Sequence, residues 1–211
     1  LSGVSASGEG KVTGKPDVAV LTVGVKATRP NVEDARSAAA TAQTGVIGSL
    51  KTNGVADKDI QTVEFTVQPQ YDYQKAGTPT ITGYTVSNVV TARIHNLDSA
   101  GKAIDDAVNA GGNDAVVQNI DFTIDDPTDL KSQAREAAVK QAKAQAQQLA
   151  DAAGEKLGKL ISISEGTSSP IPLNRLALPS ASGTADSAAQ TPVQPGELEI
   201  TVNVNVLYAI Q

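Results

Sequence analysis

The chain has 211 residues, a net charge of −6 and only 3% aromatic residues, with no cysteine, methionine or tryptophan. A pI near 4.8 with scattered Lys and Arg argues against nucleic acid or anionic membrane as the main partner, since both need a basic patch. Without cysteine there are no disulfides, thiol nucleophiles or thiolate metal sites, and the core must be built from Val, Ile, Leu and Ala.

The absence of a methionine at position 1 predicts that an N-terminal segment has been lost, and the small, polar start LSGVSASGEG suits a chain trimmed of a signal or lipoprotein anchor. No stretch approaches the ~20 apolar residues that span a bilayer. A first strand is predicted over about Val4 to Thr13 and carries Gly8 and Gly10. The next is cleaner: Leu21, Val23, Val25 and Ala27 alternate with Thr22, Gly24 and Lys26, so one face is buried. Asn31 is the candidate N-cap of a helix whose Val32, Ala35, Ala39, Ala42, Val46 and Leu50 form an apolar stripe, and Asn53-Gly54 stops it.

Residues 59 to 95 read as one long β-hairpin. Val63, Phe65, Val67 and Tyr71 share one parity in the first arm; Tyr84, Val86, Val90, Ala92 and Ile94 share one in the second. An isolated hairpin is marginal in water, so the apolar face is expected to be covered by the flanking helices. Asp98 then caps a short helix ending at Gly111-Gly112, and a strand comes next over about Val116 to Ile124. Asp126-Pro127 starts the longest helix, which runs to about Ala153 with a stripe of Leu130, Ala134, Ala138, Ala142, Leu149 and Ala153.

LGKLISISE reads as a strand. Residues 166–195 turn to Ser, Thr, Ala, Gly and Pro and read as a long, mobile loop. Within it Ile171, Leu173, Leu176 and Leu178 are too apolar for a plain linker and are expected to dock on the domain or on another subunit. The last strand alternates from Leu198 to Ile210. The whole is an α+β fold, with antiparallel or mixed sheets packed by two long helices, and one domain over residues 1–211. Residues 18–95 and 116–210 share the pattern strand, helix, strand, link, Gly-initiated strand, which suggests a duplicated β-α-β-β unit.

The pieces SGEGKV, PDVAVLTVGV, LKTNGV, DIQT with PQYDY, GYTVSN, AVNAGGND, AREAAVKQAKAQAQQLADAAGEKLGKLISISE and PVQPGELEITVNVNVLY, in this order, resemble the SIMPL-domain family in its periplasmic immunogenic type. The match covers nearly the whole chain, and a lipid-anchored actinobacterial branch is one place for it. The resemblance implies an extracytoplasmic envelope protein, associated with stress tolerance and tending to self-assembly, with no established reaction. It implies no catalytic residue.

The residues themselves carry little chemistry. His95 is the only histidine, no Gly-x-Ser-x-Gly elbow accompanies it, and one His without Cys is a poor zinc set. Asp121, Asp125, Asp126 and Asp129 lack the spacing of a calcium loop, and Asp126 and Asp129 already suit a helix start. Ser99 and Lys102 match Ser-x-x-Lys, but its companion motifs are missing. Gly8-Glu9-Gly10 lacks the third glycine and the helix of a phosphate loop. No cofactor and no metal is expected.

Tyr71, Tyr73 and Tyr84 gather near the hairpin tip, where large amphipathic rings either favour protein contacts or cover the local core. With the four apolar loop residues they make the expected partner-contact set. The expected function is non-enzymatic: self-assembly as a homo-oligomer, or binding of an envelope protein partner. The alternative is a small-molecule or lipid carrier with a cavity between the alanine-faced helices and the sheet.

Overall fold

The computed structural model describes residues 3–72, 79–167, 171–172 and 191–211. In chain order the elements are β1 (Gly3–Gly14), β2 (Val18–Arg29), α1 (Val32–Thr52), β3 (Ile60–Asp72), β4 (Thr80–Ile94), α2 (Ala100–Gly111), β5 (Ala115–Thr123), α3 (Thr128–Ala153), β6 (Leu157–Thr167), β7 (Ile171–Pro172) and β8 (Leu198–Ile210). The α+β class expected from the sequence is the class observed. These elements divide into a mid-chain unit, residues 17–122 and 191–195, and a terminal unit that holds the remaining described residues.

The mid-chain unit is a sheet of order β3-β4-β2-β5. Asn31 caps α1 as expected, its Oδ1 accepting from the Asp34 amide at 2.8 Å, and Gly54 ends it with φ +87°. Because β4 is antiparallel to both β2 and β3, those two run parallel, and α1 joins them with β4 inserted between. With α2 and β5 this is the β-α-β-β-α-β order of a ferredoxin-like unit. Helix α1 packs on β2 and β4, and the odd-numbered row of β2 meets Val86, Val90, Ala92 and Ile94 of β4 in the core.

Two local expectations change here. Helix α2 begins after a short 3-10 turn at Leu97–Ser99, and Ser99 rather than Asp98 stands at its N-cap, with its Oγ donating to the Asn96 carbonyl. Strand β5, read in the sequence as opening the second half, joins β2 in this sheet.

In the terminal unit β8 lies between β1 and β6, antiparallel to both, and β7 extends the pairing to Glu199 and Leu198. Strand, helix, strand and an inserted third strand (β1, α3, β6, β8) repeat the order seen in β2, α1, β3 and β4. Helix α3 lies on β1 and β8 through Ala134, Ala138, Ala142, Ala146 and Ala150, all fully buried. Leu149 and Ala153, expected on that stripe, are exposed. The buried row steps by four throughout, an i±4 ridge inclined to the helix axis, so it leaves the expected line along the last two turns.

The largest departure concerns β3. Its apolar row is not covered: Val63, Val67 and Tyr71 are exposed, and Phe65 is 57% exposed. Helix α1 lies over β2 and β4, and β3 is the edge strand.

Candidate functional site

In β3 the ladder to β4 slips between Thr62 and Glu64, leaving Val63 as the bulge residue. Beyond the bulge Phe65 stands opposite Asn88 and Val67 opposite Val86. Directly opposed residues share a face, so Phe65 and Val67 lie on the core side of the sheet. Yet Val86 is fully buried and its neighbour Val67 is exposed. A period-2 pattern thus fills one face correctly, but the layer above it ends one strand short.

The terminal unit repeats the arrangement. Ile163 of β6 is opposite Val206, which is 2% exposed, whereas Ile163 itself is 50% exposed. Leu160, Ile161 and Ile171 are exposed on the same edge. Arg135 of α3 reaches across to Glu165 of β6 in a bidentate pair (Nε–Oε2 2.5 Å, Nη2–Oε1 2.9 Å). The Arg135 hydrogen bonds hold the Glu165 carboxyl below its ordinary range. Beyond that clamp β6 has little cover from the helix.

The other two edges are polar. β1 alternates Ser5, Ser7, Glu9 and Lys11 outward, and the Gln141 side chain accepts from the Glu9 amide, occupying one edge donor. β5 carries Gln118, Asn119 and Asp121 beside a partly exposed Val117. Natural sheets blunt edges with polar and charged residues in this way. β3 and β6 are not blunted to the same degree.

Tyr71 is exposed and pairs opposite Ile81, itself exposed. Tyr84 is half-buried against the mid-chain core, opposite Pro69 and Arg29. Ile171 is exposed in β7. Tyr73, Leu173, Leu176 and Leu178 lie outside the described residues. The structure adds Ile81, Leu160, Ile161 and Ile163, to which the sequence reading assigned no face, and Phe65, whose alternation placed it inside because alternation alone does not show where the covering helix stops. It also shows a docked residue of the long loop that was not singled out: Val193 packs on the mid-chain core, and Thr191 donates its amide and hydroxyl to Asp105.

His95 is half-exposed, with Nε2 3.5 Å from Asp59. Lys102 pairs with Asp106 within α2, and Asp126 accepts from the Thr128 amide at the start of α3. Each carboxyl is held below its ordinary range by those hydrogen bonds. Among the described residues no three His, Cys, Asp or Glu side chains gather as a metal site, and no helix is long and apolar enough to cross a membrane.

Residues 4–208 match the family described as SIMPL, protein of unknown function (DUF541). The chain belongs to the SIMPL family. It is 35% identical to the 26 kDa periplasmic immunogenic protein of Brucella melitensis, an alignment that covers 99% of this chain and 84% of the relative. It is 29% identical to the uncharacterized protein YggE of Escherichia coli, over 99% of this chain and 83% of that one. The family resemblance read from the motifs is therefore established, and the periplasmic name of the Brucella relative agrees with the extracytoplasmic location expected from it. The SIMPL family carries no assigned reaction, and neither relative is named for one.

Proposed function

We propose that this SIMPL protein is a non-enzymatic envelope protein that works by binding other polypeptides, copies of itself included, along the β3 and β6 edges. The observation that carries this reading is the repeated one: in both units the strand that the helix fails to cover is apolar on its core side. Full burial of one Phe, Ile or Val is worth about 1.5–3 kcal/mol, so rows of this kind favour contact with another chain. Extended edges also offer unpaired backbone groups.

Two further observations support the reading. The shifted titratable groups among the described residues (Lys11, Arg29, Asp106, Asp126, Arg135 and Glu165) are each engaged in a surface ion pair or, for Asp126, a hydrogen bond from Thr128 at the start of α3, rather than converging in a cleft. Against a carrier cavity beneath α3 stands its close contact with β1, where a Cβ at Gly8 would come within 2.1 Å of the Ala138 carbonyl oxygen.

Hydrogen exchange at low and high protein concentration tests the proposal. The outward amides of β3 and β6 are expected to gain protection as concentration rises, while those of β1 and β5 do not. Uniform, concentration-independent exchange along all four edges contradicts it.

A further inference from the structure

The face of the mid-chain sheet that turns away from α1 carries a trough. Lys26 of β2, Ser87 of β4 and Thr66 of β3 stand directly opposite one another and share this face, alternating with Val25 and Val86 of the buried core. One row along, Gly24, Val89 and Glu64 do the same. Glu64 and Thr66 of β3 and Val116 and Gln118 of β5 line one cleft of about 270 Å³.

In the strand order β3-β4-β2-β5 those two outer strands are three spacings apart, roughly 14 Å in a flat sheet. A shared cleft therefore means that they curl toward each other. Two local features produce the curl. One is the bulge at Val63. The other is Gly24, where a Cβ would lie 2.1 Å from the Asn88 carbonyl oxygen, so the missing side chain lets β4 close in on β2. Val89, 2% exposed, is the apolar floor.

The walls hold polar groups that the fold leaves unused. Thr85, buried at one end of the trough, is satisfied by Thr28 and Gln70. By contrast the side chains of Lys26, Glu64, Thr66 and Ser87 have no hydrogen-bond or ion-pair partner among the described residues. Lys26 and Glu64 lie two strands and two residues apart, roughly 12 Å between Cα atoms, with the Ser87 and Thr66 hydroxyls beside the path. A lone anion meets Lys26 but is repelled by Glu64, a lone cation the reverse, and a hydrocarbon leaves both charges unused. A net-neutral molecule with an ammonium at one end and a carboxylate at the other engages both. The volume lies just below the range of about 300–1,000 Å³ typical of drug-sized ligands, so the molecule is small. We propose that this trough binds a short zwitterionic peptide of dipeptide size. Its ammonium meets Glu64, its carboxylate Lys26 and its amide the two hydroxyls, and a small apolar side chain lies over Val89. The site is separate from the exposed β3 row, whose Phe65 and Val67 stand on the opposite face.

The test titrates the full 211-residue chain, isotope-labelled, with dialanine and with its N-acetylated and C-amidated forms. Dialanine is expected to shift the backbone amides of Lys26, Thr66, Ser87 and Val89 saturably, with a Kd of about 5 mM. Blocking either end is expected to weaken binding about fivefold, the worth of one exposed ion pair. In Glu64→Gln the acetylated and free forms are expected to bind alike, and in Lys26→Met the amidated and free forms. Both positions are exposed, so each variant is expected to keep the wild-type amide spectrum away from the trough. No saturable shift up to about 50 mM, or saturation at residues outside the trough, overturns the site. Equal binding of free and blocked forms by the wild-type chain, or a blocking penalty that survives in the matching variant, overturns the zwitterion assignment.

Discussion

A methyl group on Gly10 would lie 1.8 Å from the carbonyl oxygen of Ala134. Strand β1 and helix α3 therefore touch backbone to backbone, and the alanine row of α3 is the other half of that contact. Gly10→Ala is expected to force the helix off the strand, and overpacking of this kind costs about 1–3 kcal/mol or more. The urea midpoint of unfolding checks it; a shift within error of zero would show that α3 rides higher on β1.

Gly48 is the counter-case. It sits in α1, exposed, with nothing within 4 Å of where a Cβ would stand. Gly48→Ala removes backbone freedom from the unfolded chain without a clash, so it is expected to stabilise by about 0.5–1 kcal/mol. A thermal midpoint that fails to rise contradicts this.

Acid sensitivity arises from Glu165, Asp106 and Asp126. Their carboxyls are held below the ordinary range, by the Arg135 hydrogen bonds, by Lys102 and Asn53, and by Thr128 respectively. A carboxyl whose folded pKa is depressed contributes stability above its unfolded pKa, about 4, and loses it as pH falls through the folded value. Unfolding midpoints are expected to hold steady from neutral pH to about pH 5 and to fall below about pH 4. In Arg135→Gln the fall is expected to be shallower, because the Glu165 share is already absent. An unchanged acid limb in that variant would remove the clamp from the account.

Much of the fold is legible in the residues. The alternation in β2, β4 and β8, the Asn31 cap and the Gly54 stop are local signals, and each is where the pattern puts it. Coverage is not local. Phe65 and Val67 have the spacing of core residues, and only the position of β3 at a sheet edge and the reach of α1 leave them exposed. Gly8 and Gly10 read only as glycines within a strand, whereas a helix from more than a hundred residues away needs their missing side chains. The clustered tyrosines drew attention to the hairpin tip, yet Tyr84 is held by the core and Phe65, alone in its stretch, carries the larger exposed surface.

Solution mass by light scattering across a concentration series tests the edge-binding account most directly. The wild-type chain is expected to exceed its 21.6 kDa monomer mass increasingly with concentration. The Phe65→Lys, Ile163→Lys double variant is expected to stay monomeric with unchanged circular dichroism. A wild-type chain that keeps the monomer mass throughout, or a double variant that assembles as the wild type does, would contradict self-association through β3 and β6.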